Sequence, residues 1–305
     1  MTRLLFVFLD GVGIGEPDPS RNPFATAKLP TLKGLLGGRL PYLPEPRVEG
    51  HGGRPAAAFP LDACLGLPGL PQSGTGQASL LTGQNAAVLF GRHFGPWVPV
   101  ALRPLVRDGS LLRTARAQGA AVAFANAYPL SWQRRPRLRR IAAPPLAALG
   151  ADALTRSQRQ LALGQAVSSE IVNDVWQEHW PEAGIPSVSA REAGLTLGRL
   201  AGSHDLTFYA HYATDTAGHR GDARQCEAAL ERVDRFLDGV LAALPPDHLL
   251  LVASDHGNLE DLEAGHTRNP ALGLLVGPHA PERSRELESL VDVAGAVAGW
   301  RSEEP

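Results

Sequence analysis

Hard metal ligands stand in this sequence where apolar runs stop. Asp10 follows Leu4–Leu9 (LLFVFL), Asp215 and His219 are four apart in DTAGH, Asp255 and His256 are adjacent in SDHGN, and His266 lies in GHTRNP. One Asp after a strand is commonly a turn residue or a cap, and an Asp-x-x-x-His pair is commonly a surface pair. Three carboxylates and three imidazoles, all at loop edges, form instead a donor set of oxygen and nitrogen that suits Zn²⁺ or Mn²⁺ better than Ca²⁺. A seventh group is Ser73 in PQSGTGQASLLTG, where a Gly/Pro-punctuated turn opens a helix. It reads either as a helix N-cap or as a metal-activated nucleophile whose helix N–H groups are ready to hold a phosphate. Thr75, two residues on, is the rival nucleophile.

These residues need elements that bring them to one place. Leu4–Leu9 is apolar on both faces, as a parallel strand covered by helices must be, and ligands of open α/β sheets bind beyond the carboxyl ends of the strands. Further strands are expected over 56–66, 120–125, 206–211, 249–253 and 272–276, and helices over 31–36, 76–89, 110–118, 191–201, 222–244 and 286–297. In 222–244 the residues Cys226, Leu230, Val233, Leu237 and Leu241 repeat at steps of three and four, a core-facing stripe. The alternation predicts an α/β fold, a mostly parallel sheet sandwiched between helices. Residues 1–128 and 188–305 would form the core domain; 129–187, of different texture and with a helical stretch over 157–176, would be an inserted cap.

Composition narrows the class. With 305 residues, 44% hydrophobic and 20% charged, the chain reads as a soluble globular protein able to bury about three quarters of its unfolded surface. Twenty-nine basic residues against 31 acidic ones leave no global positive field, so neither nucleic acid nor a membrane is an expected partner. Two cysteines, Cys64 and Cys226, make no disulfide framework and no cysteine zinc motif. The N-terminal apolar run is too short for a signal peptide or a span, so a cytoplasmic location is expected. The segment WQRRPRLRR carries Arg134, Arg135, Arg137, Arg139 and Arg140. Guanidinium groups fork onto phosphate or carboxylate, so these are candidates for gripping an anionic substrate, against the alternative of a solvated basic face. His93 in GRHFG is a further candidate for the pocket, with Asn126 and Tyr128 behind it, and His211 is a candidate support for the Asp215 loop. No GxxxxGK[ST] occurs, which argues against a P-loop NTPase.

The ordered set DGVGIG (residues 10–15), Ser73 ten residues before Gly83, DTAGH, SDHGN and GHT resembles the alkaline phosphatase superfamily, in particular the metalloenzyme branch that holds phosphopentomutase and cofactor-independent phosphoglycerate mutase. The resemblance covers about 240 residues outside the cap. It implies an alkaline-phosphatase-like fold and two divalent ions, Mn²⁺ or Zn²⁺. One ion would sit on Asp10, Ser73, Asp255 and His256, the other on Asp215, His219 and His266. It also implies that Ser73, matched by its spacing to Gly83, attacks a small phosphorylated metabolite and becomes phosphoserine. Water would then make the protein a phosphatase or a phosphodiesterase; a reoriented product hydroxyl would make it a phosphomutase. The mutases follow the nucleophile with x-x-Gly-His, whereas this chain has Gln77 in that place, and the insertion is short, which leans the expectation to hydrolysis. DGVGIGE resembles phosphopentomutase and keeps the mutase outcome open. The Cys-x-Pro-x-Arg nucleophile motif of sulfatases is absent. The rival from another class is a non-catalytic, metal-stabilised binding module; competent groups at all seven positions favour the enzyme.

Overall fold

β1 (Leu4–Leu9), β2 (Val48–Gly50), β3 (Ala56–Leu61), β4 (Val122–Phe124), β5 (Leu206–His211), β6 (Leu249–Ser254) and β7 (Ala271–Val276) form one sheet in the order β2-β3-β7-β6-β1-β5-β4. The structure, a computed structural model, describes residues 2–50, 52–134 and 138–302, except the side chains of Arg134 and Leu138. β1 lies at the middle, parallel to β5 on one side and to β6 on the other, with Leu9 opposite both His211 and Ser254. Its side chains alternate between two cores. Leu4, Phe6 and Phe8 join the face covered by helices Ser73–Thr82, Leu111–Ala117, Ala143–Gly150 and Asp292–Ser302. Leu5, Val7 and Leu9 join the face covered by Pro30–Leu35, Ala190–Ala201 and Ala223–Ala243. A strand buried on both sides reads as an unbroken apolar run, which is what LLFVFL is.

The block β6-β1-β5-β4 is parallel, while β7 runs against β6 and β3, and β2 runs against β3. The sheet is therefore mixed, where a mostly parallel one was expected. A parallel neighbour needs a crossover, usually through a helix. Residues 255–270 contain none, so the chain re-enters the sheet from the edge at which β6 left it.

Elsewhere local chemistry moves the boundaries. The helix expected over 76–89 is two, Ser73–Thr82 and Ala86–Phe90: Gly83 takes a left-handed φ of 69° and ends the first, and the Asn85 side chain accepts from the Val88 N–H to cap the second. The long helix Ala223–Ala243 begins at a capping box between Asp222 and Gln225 and buries Cys226, Leu230, Val233 and Leu237. The last helix is Asp292–Ser302 instead of 286–297; the Asp292 carboxylate accepts from the Glu288 and Ser289 N–H groups and holds the preceding turn out of the helix.

The segment expected to stand off as a cap divides in two. Ile141, Ala143, Leu146, Ala147 and Leu154 pack in the main core, whereas Leu161, Ala166, Trp176 and Ile185 form a satellite cluster with Ala127. Of the stretch 157–176, only Gln158–Ala162 and the start of Asp174–His179 are helical. Among the described residues no helix is long and apolar enough to cross a membrane.

Helices Ala190–Ala201 and Ala223–Ala243 touch backbone to backbone. A Cβ at Gly194 would strike the Phe236 carbonyl, and one at Gly239 the Arg191 carbonyl. Gly239→Val should therefore destabilise the protein by about 1–3 kcal/mol, read as a lower Tm. Gly299→Ala, on the exposed side of the last helix with nothing within 4 Å of the added methyl, should stabilise it by about 0.4–1 kcal/mol in the same melt.

Candidate metal centre and nucleophile

The carboxyl ends of β1, β5 and β6 deliver the site. The Asp10 N–H continues the ladder by donating to the His211 carbonyl at 3.0 Å, and the Asp10 carbonyl accepts from the Thr214 hydroxyl at 2.6 Å. Gly11 then turns with φ 68°, where a side chain would collide with Asp215. After β5, helix Ala213–Arg220 places Asp215 and His219 on one face, with His219 Nε2 3.5 Å from Asp215 Oδ1. The 255–270 loop brings Asp255, His256 and His266 back over the same edge.

All seven residues singled out in the sequence converge here. His256 Nε2 lies 3.0 Å from Ser73 Oγ, 3.4 Å from Asp10 Oδ1 and 3.7 Å from Asp255 Oδ2. His266 Nε2 lies 2.9 Å from His219 Nε2 and 3.8 Å from Asp215 Oδ1, and its ring stacks on His256 at 4.1 Å. Candidate donor atoms fall in two groups, Asp10 with Asp255 and His256, and Asp215 with His256 and His266, each within 4.8 Å. Asp10 Oδ1 and Asp255 Oδ2 are buried and have no hydrogen-bond partner among the described residues. Two orphaned carboxylate oxygens beside an imidazole nitrogen, in a dry setting, fit a divalent cation with oxygen and nitrogen ligands. The His266 Nδ1–H is set to donate to the Pro71 carbonyl at 2.7 Å, which turns Nε2 inward, the orientation a metal ligand would need.

The electrostatics follow from burial. Desolvation raises the Asp10 carboxyl above its usual range and, joined by the charge of Asp10, drives Asp255 well above it. For His256 burial alone would lower the pKa, but the surrounding charges of Asp255, Asp10 and Asp215 outweigh it and raise it to about 10. His266 goes the other way, to about 4, through burial and the neighbouring His256 charge.

Ser73 is the first residue of its helix and is 2% exposed; Gln72 stands at the cap position and makes no side-chain capping bond, so Ser73 is not the cap. Thr75 is engaged elsewhere: its N–H donates to the Phe94 carbonyl at 2.9 Å and its hydroxyl accepts from the Phe94 N–H at 3.1 Å. That pair clamps the 94–97 loop onto the first turn of the helix, and Gly74 leaves room for the Trp97 carbonyl. A cleft of about 580 Å³ opens beside Ser73, walled by Asp215, His219 and His266 on one side and by Gly95, Pro96 and Arg220 on others.

Other candidates lie apart. Arg140 stacks over Trp97 at 5.0 Å and, with Arg139, Phe90 and Phe94, lines a different hollow. Arg135, Arg137 and the Arg134 side chain are outside the described residues. His93 packs against the backbone of Cys64 and Leu67, its pKa lowered by burial, and does not line the cleft. Asn126 pairs its amide with both backbone groups of Ala210 and extends the sheet edge. His211 Nδ1–H donates to the Ser169 carbonyl at 2.6 Å, tying the 166–171 strap to β5. Three residues not singled out for contact do reach the site. Gln77, where the mutases have His, donates to Asp10 Oδ2 at 3.1 Å; Asn258 donates to Asp215 Oδ1 at 2.7 Å; Arg220 lines the cleft. Gln77 and Asn258 sit inside the quoted motifs, but nothing in their spacing says which distant carboxylate they meet.

The chain matches the Metalloenzyme superfamily model over residues 186–299. It is 40% identical over 107 residues to the phosphopentomutase of Deinococcus radiodurans, covering 34% of this chain and 28% of that one. It is 35% identical over 119 residues to the 2,3-bisphosphoglycerate-independent phosphoglycerate mutase of Rhodopseudomonas palustris, covering 36% and 22%. The chain thus spans well under half the length of these relatives. Among solved structures, a cold-active alkaline phosphatase from Shewanella sp. shares the fold with a TM-score of 0.53 at 11% identity, over 98% of this chain and 100% of that one. A protein of Pyrococcus horikoshii gives 0.56 at 14% identity, over 100% and 98%. Over residues 186–299 the chain is thus similar to the Metalloenzyme superfamily, and its fold is that of alkaline-phosphatase-like structures.

Proposed function

We propose that the protein is a two-metal phosphoryl-transfer enzyme that acts through Ser73 on a small phosphorylated metabolite. The observation that carries this reading is the placement of Ser73 Oγ, at a helix N-terminus and 3.0 Å from His256, at the meeting point of the two donor groups and at the wall of the cleft. The residues that would hold the ions are Asp10, Ser73, Asp255 and His256 for one and Asp215, His219 and His266 for the other, with Mn²⁺ or Zn²⁺ suited to them. Bound there, such ions would neutralise phosphoryl oxygens and favour the Ser73 alkoxide. The chain's own part is positioning. Gln77 and Asn258 fix the orientation of Asp10 and Asp215, and Pro71 fixes the His266 ring. The start of helix Ser73–Thr82 offers N–H groups to the phosphoryl oxygens, and Arg220 supplies a cation for the substrate's remaining negative charge.

In the first step Ser73 Oγ bonds to phosphorus and the substrate alcohol departs, leaving phosphoserine. In the second a new oxygen nucleophile attacks phosphorus and Ser73 is released. Transfer to water is favoured by the openness of the site, since the His219 side chain is 44% exposed. The second reading, transfer back to a product hydroxyl, is favoured by the names of the relatives, which are mutases. Peptide mapping after incubation of Mn²⁺-loaded protein with sugar phosphates and phosphoglycerates, run beside a free-phosphate assay, separates them. Phosphate release with transient label on Ser73 marks a phosphatase, and label with an isomerised product marks a mutase; label on Thr75 would sink the assignment of Ser73.

Ser73→Ala should lower turnover by about 10³-fold or more while metal analysis still finds two ions per chain. Asp255→Asn should do the reverse of what most buried substitutions do: in EDTA it should melt higher than the wild type, because one of two crowded carboxylates is gone, yet divalent ions should no longer raise its Tm. In the wild type, free ion at a hundred times its Kd should add about 2.7 kcal/mol per site.

A further inference from the structure

Glu260 touches none of the donor atoms described above, yet its carboxylate ties the turn after Asp10 to the loop that carries Asp255, His256 and His266. It is 2% exposed and has no basic partner within ion-pair distance among the described residues. Its Oε2 accepts from the Gly13 N–H at 3.0 Å and from the Asn258 N–H at 2.8 Å. Its Oε1 accepts from the Thr267 hydroxyl at 2.5 Å and from the Asn269 amide at 3.1 Å. Gly13 belongs to the turn after Asp10, Asn258 follows Asp255 and His256 and holds Asp215, and Thr267 adjoins His266. Two glycines leave room for it: a Cβ at Gly13 or at Gly257 would collide with the Glu260 carboxylate. Only a carboxylate offers acceptors on both oxygens, enough for four donors at once.

We propose that Glu260 is a positioning residue that sets the separation of the two metal sub-sites, acting through the loops instead of through the ions. The inference rests on the two-metal reading above. The Gly13 N–H leads to Asp10, the Thr267 hydroxyl to His266, and Asn258 both to the Asp255–His256 pair it follows and, through its side chain, to Asp215. The ends of β1 and β6 are also laced together without Glu260, through the Gly11 N–H on Asp255 and the Ser254 hydroxyl on the Val12 N–H. Losing Glu260 should therefore loosen the Asp215, His219 and His266 group first. Residues that orient ligands from behind typically change metal affinity by about 10–100-fold when removed, and the effect here should lie in that range for one of the two ions.

The test is a titration of metal-free protein with Co²⁺, followed by its visible absorption, which reports ligand geometry, and by calorimetry for stoichiometry and affinity. Wild type should take up two equivalents. Glu260→Met, which keeps the length of the side chain and removes its acceptors, should bind one equivalent nearly as tightly and the other about 10–100-fold more weakly, with an altered spectrum. Should that variant not fold, Thr267→Val carries the test, since it deletes only the hydroxyl arm and should weaken the same equivalent by a smaller factor. A residue that only stabilises the fold would lower the Tm of metal-free protein and leave both affinities and the spectrum as they were; that result in a folded variant overturns the inference while the metal centre stands. Failure of wild type to bind Co²⁺ at all would overturn the two-metal reading and this inference with it.

Discussion

Three carboxylates brought to one end of a sheet repel one another, and most of what surrounds them answers to that fact. The donor oxygens of Asp10 and Asp255 lie within 4.8 Å in a group buried on all sides. Were both ionised, their repulsion would be about 3 kcal/mol or more at an effective dielectric near 20. A fold holds such groups together only when covalent geometry and hydrogen bonds leave them nowhere else to go. β1 and β6 pair in register, so the residues that follow Leu9 and Ser254 emerge side by side. The Gly11 turn, the Ser254 hydroxyl that accepts from the Val12 N–H, and the Gly11 N–H that reaches Asp255 lace the two ends together. Charge balance is met in part by His256, whose raised pKa expresses the same crowding.

Ser73, the proposed nucleophile, is tied to this edge from the other side. Thr75 and Gly74 bind the 94–97 loop to the helix start, and the same loop supplies Gly95 and Pro96 to the cleft wall. The Ser73 oxygen proposed to attack and the surface that would orient a substrate are thus parts of one piece, the arrangement that positional catalysis needs.

Much of this was legible in the sequence because it depends on local rules. A doubly buried strand must be apolar throughout, so LLFVFL declared itself, and a carboxylate that ends such a run stands at the ligand-binding edge whatever follows. The stripe in Ala223–Ala243 follows from helical period alone. What was not legible depends on where distant segments meet. The reversal of β7 follows from the path of 255–270, and APPLAALG, read as part of a cap, is buried because Leu146 and Ala147 find the main core. Glu260 and Gly13 are 247 residues apart. Its four bonds have no signature beyond a glutamate two places after a motif asparagine. Of the arginine tract, Arg140 stacks on Trp97 away from the cleft, while Arg135, Arg137 and the Arg134 side chain lie outside the described residues.

The order of β1 in the sheet has a consequence for how the chain comes to be folded. Of the seven strands β1 is made before the others and lies at the centre, yet both of its neighbours, β5 and β6, come from beyond residue 205. At ribosomal rates of roughly 5–20 residues per second, the strand waits about 10–40 s after synthesis before either partner exists. For that interval six consecutive apolar residues have no sheet to join. β1 therefore joins the sheet late, and until β5 and β6 exist its apolar run is open to aggregation. The site inherits the same delay: it assembles only after His266 has left the ribosome, as the last strands close around the first.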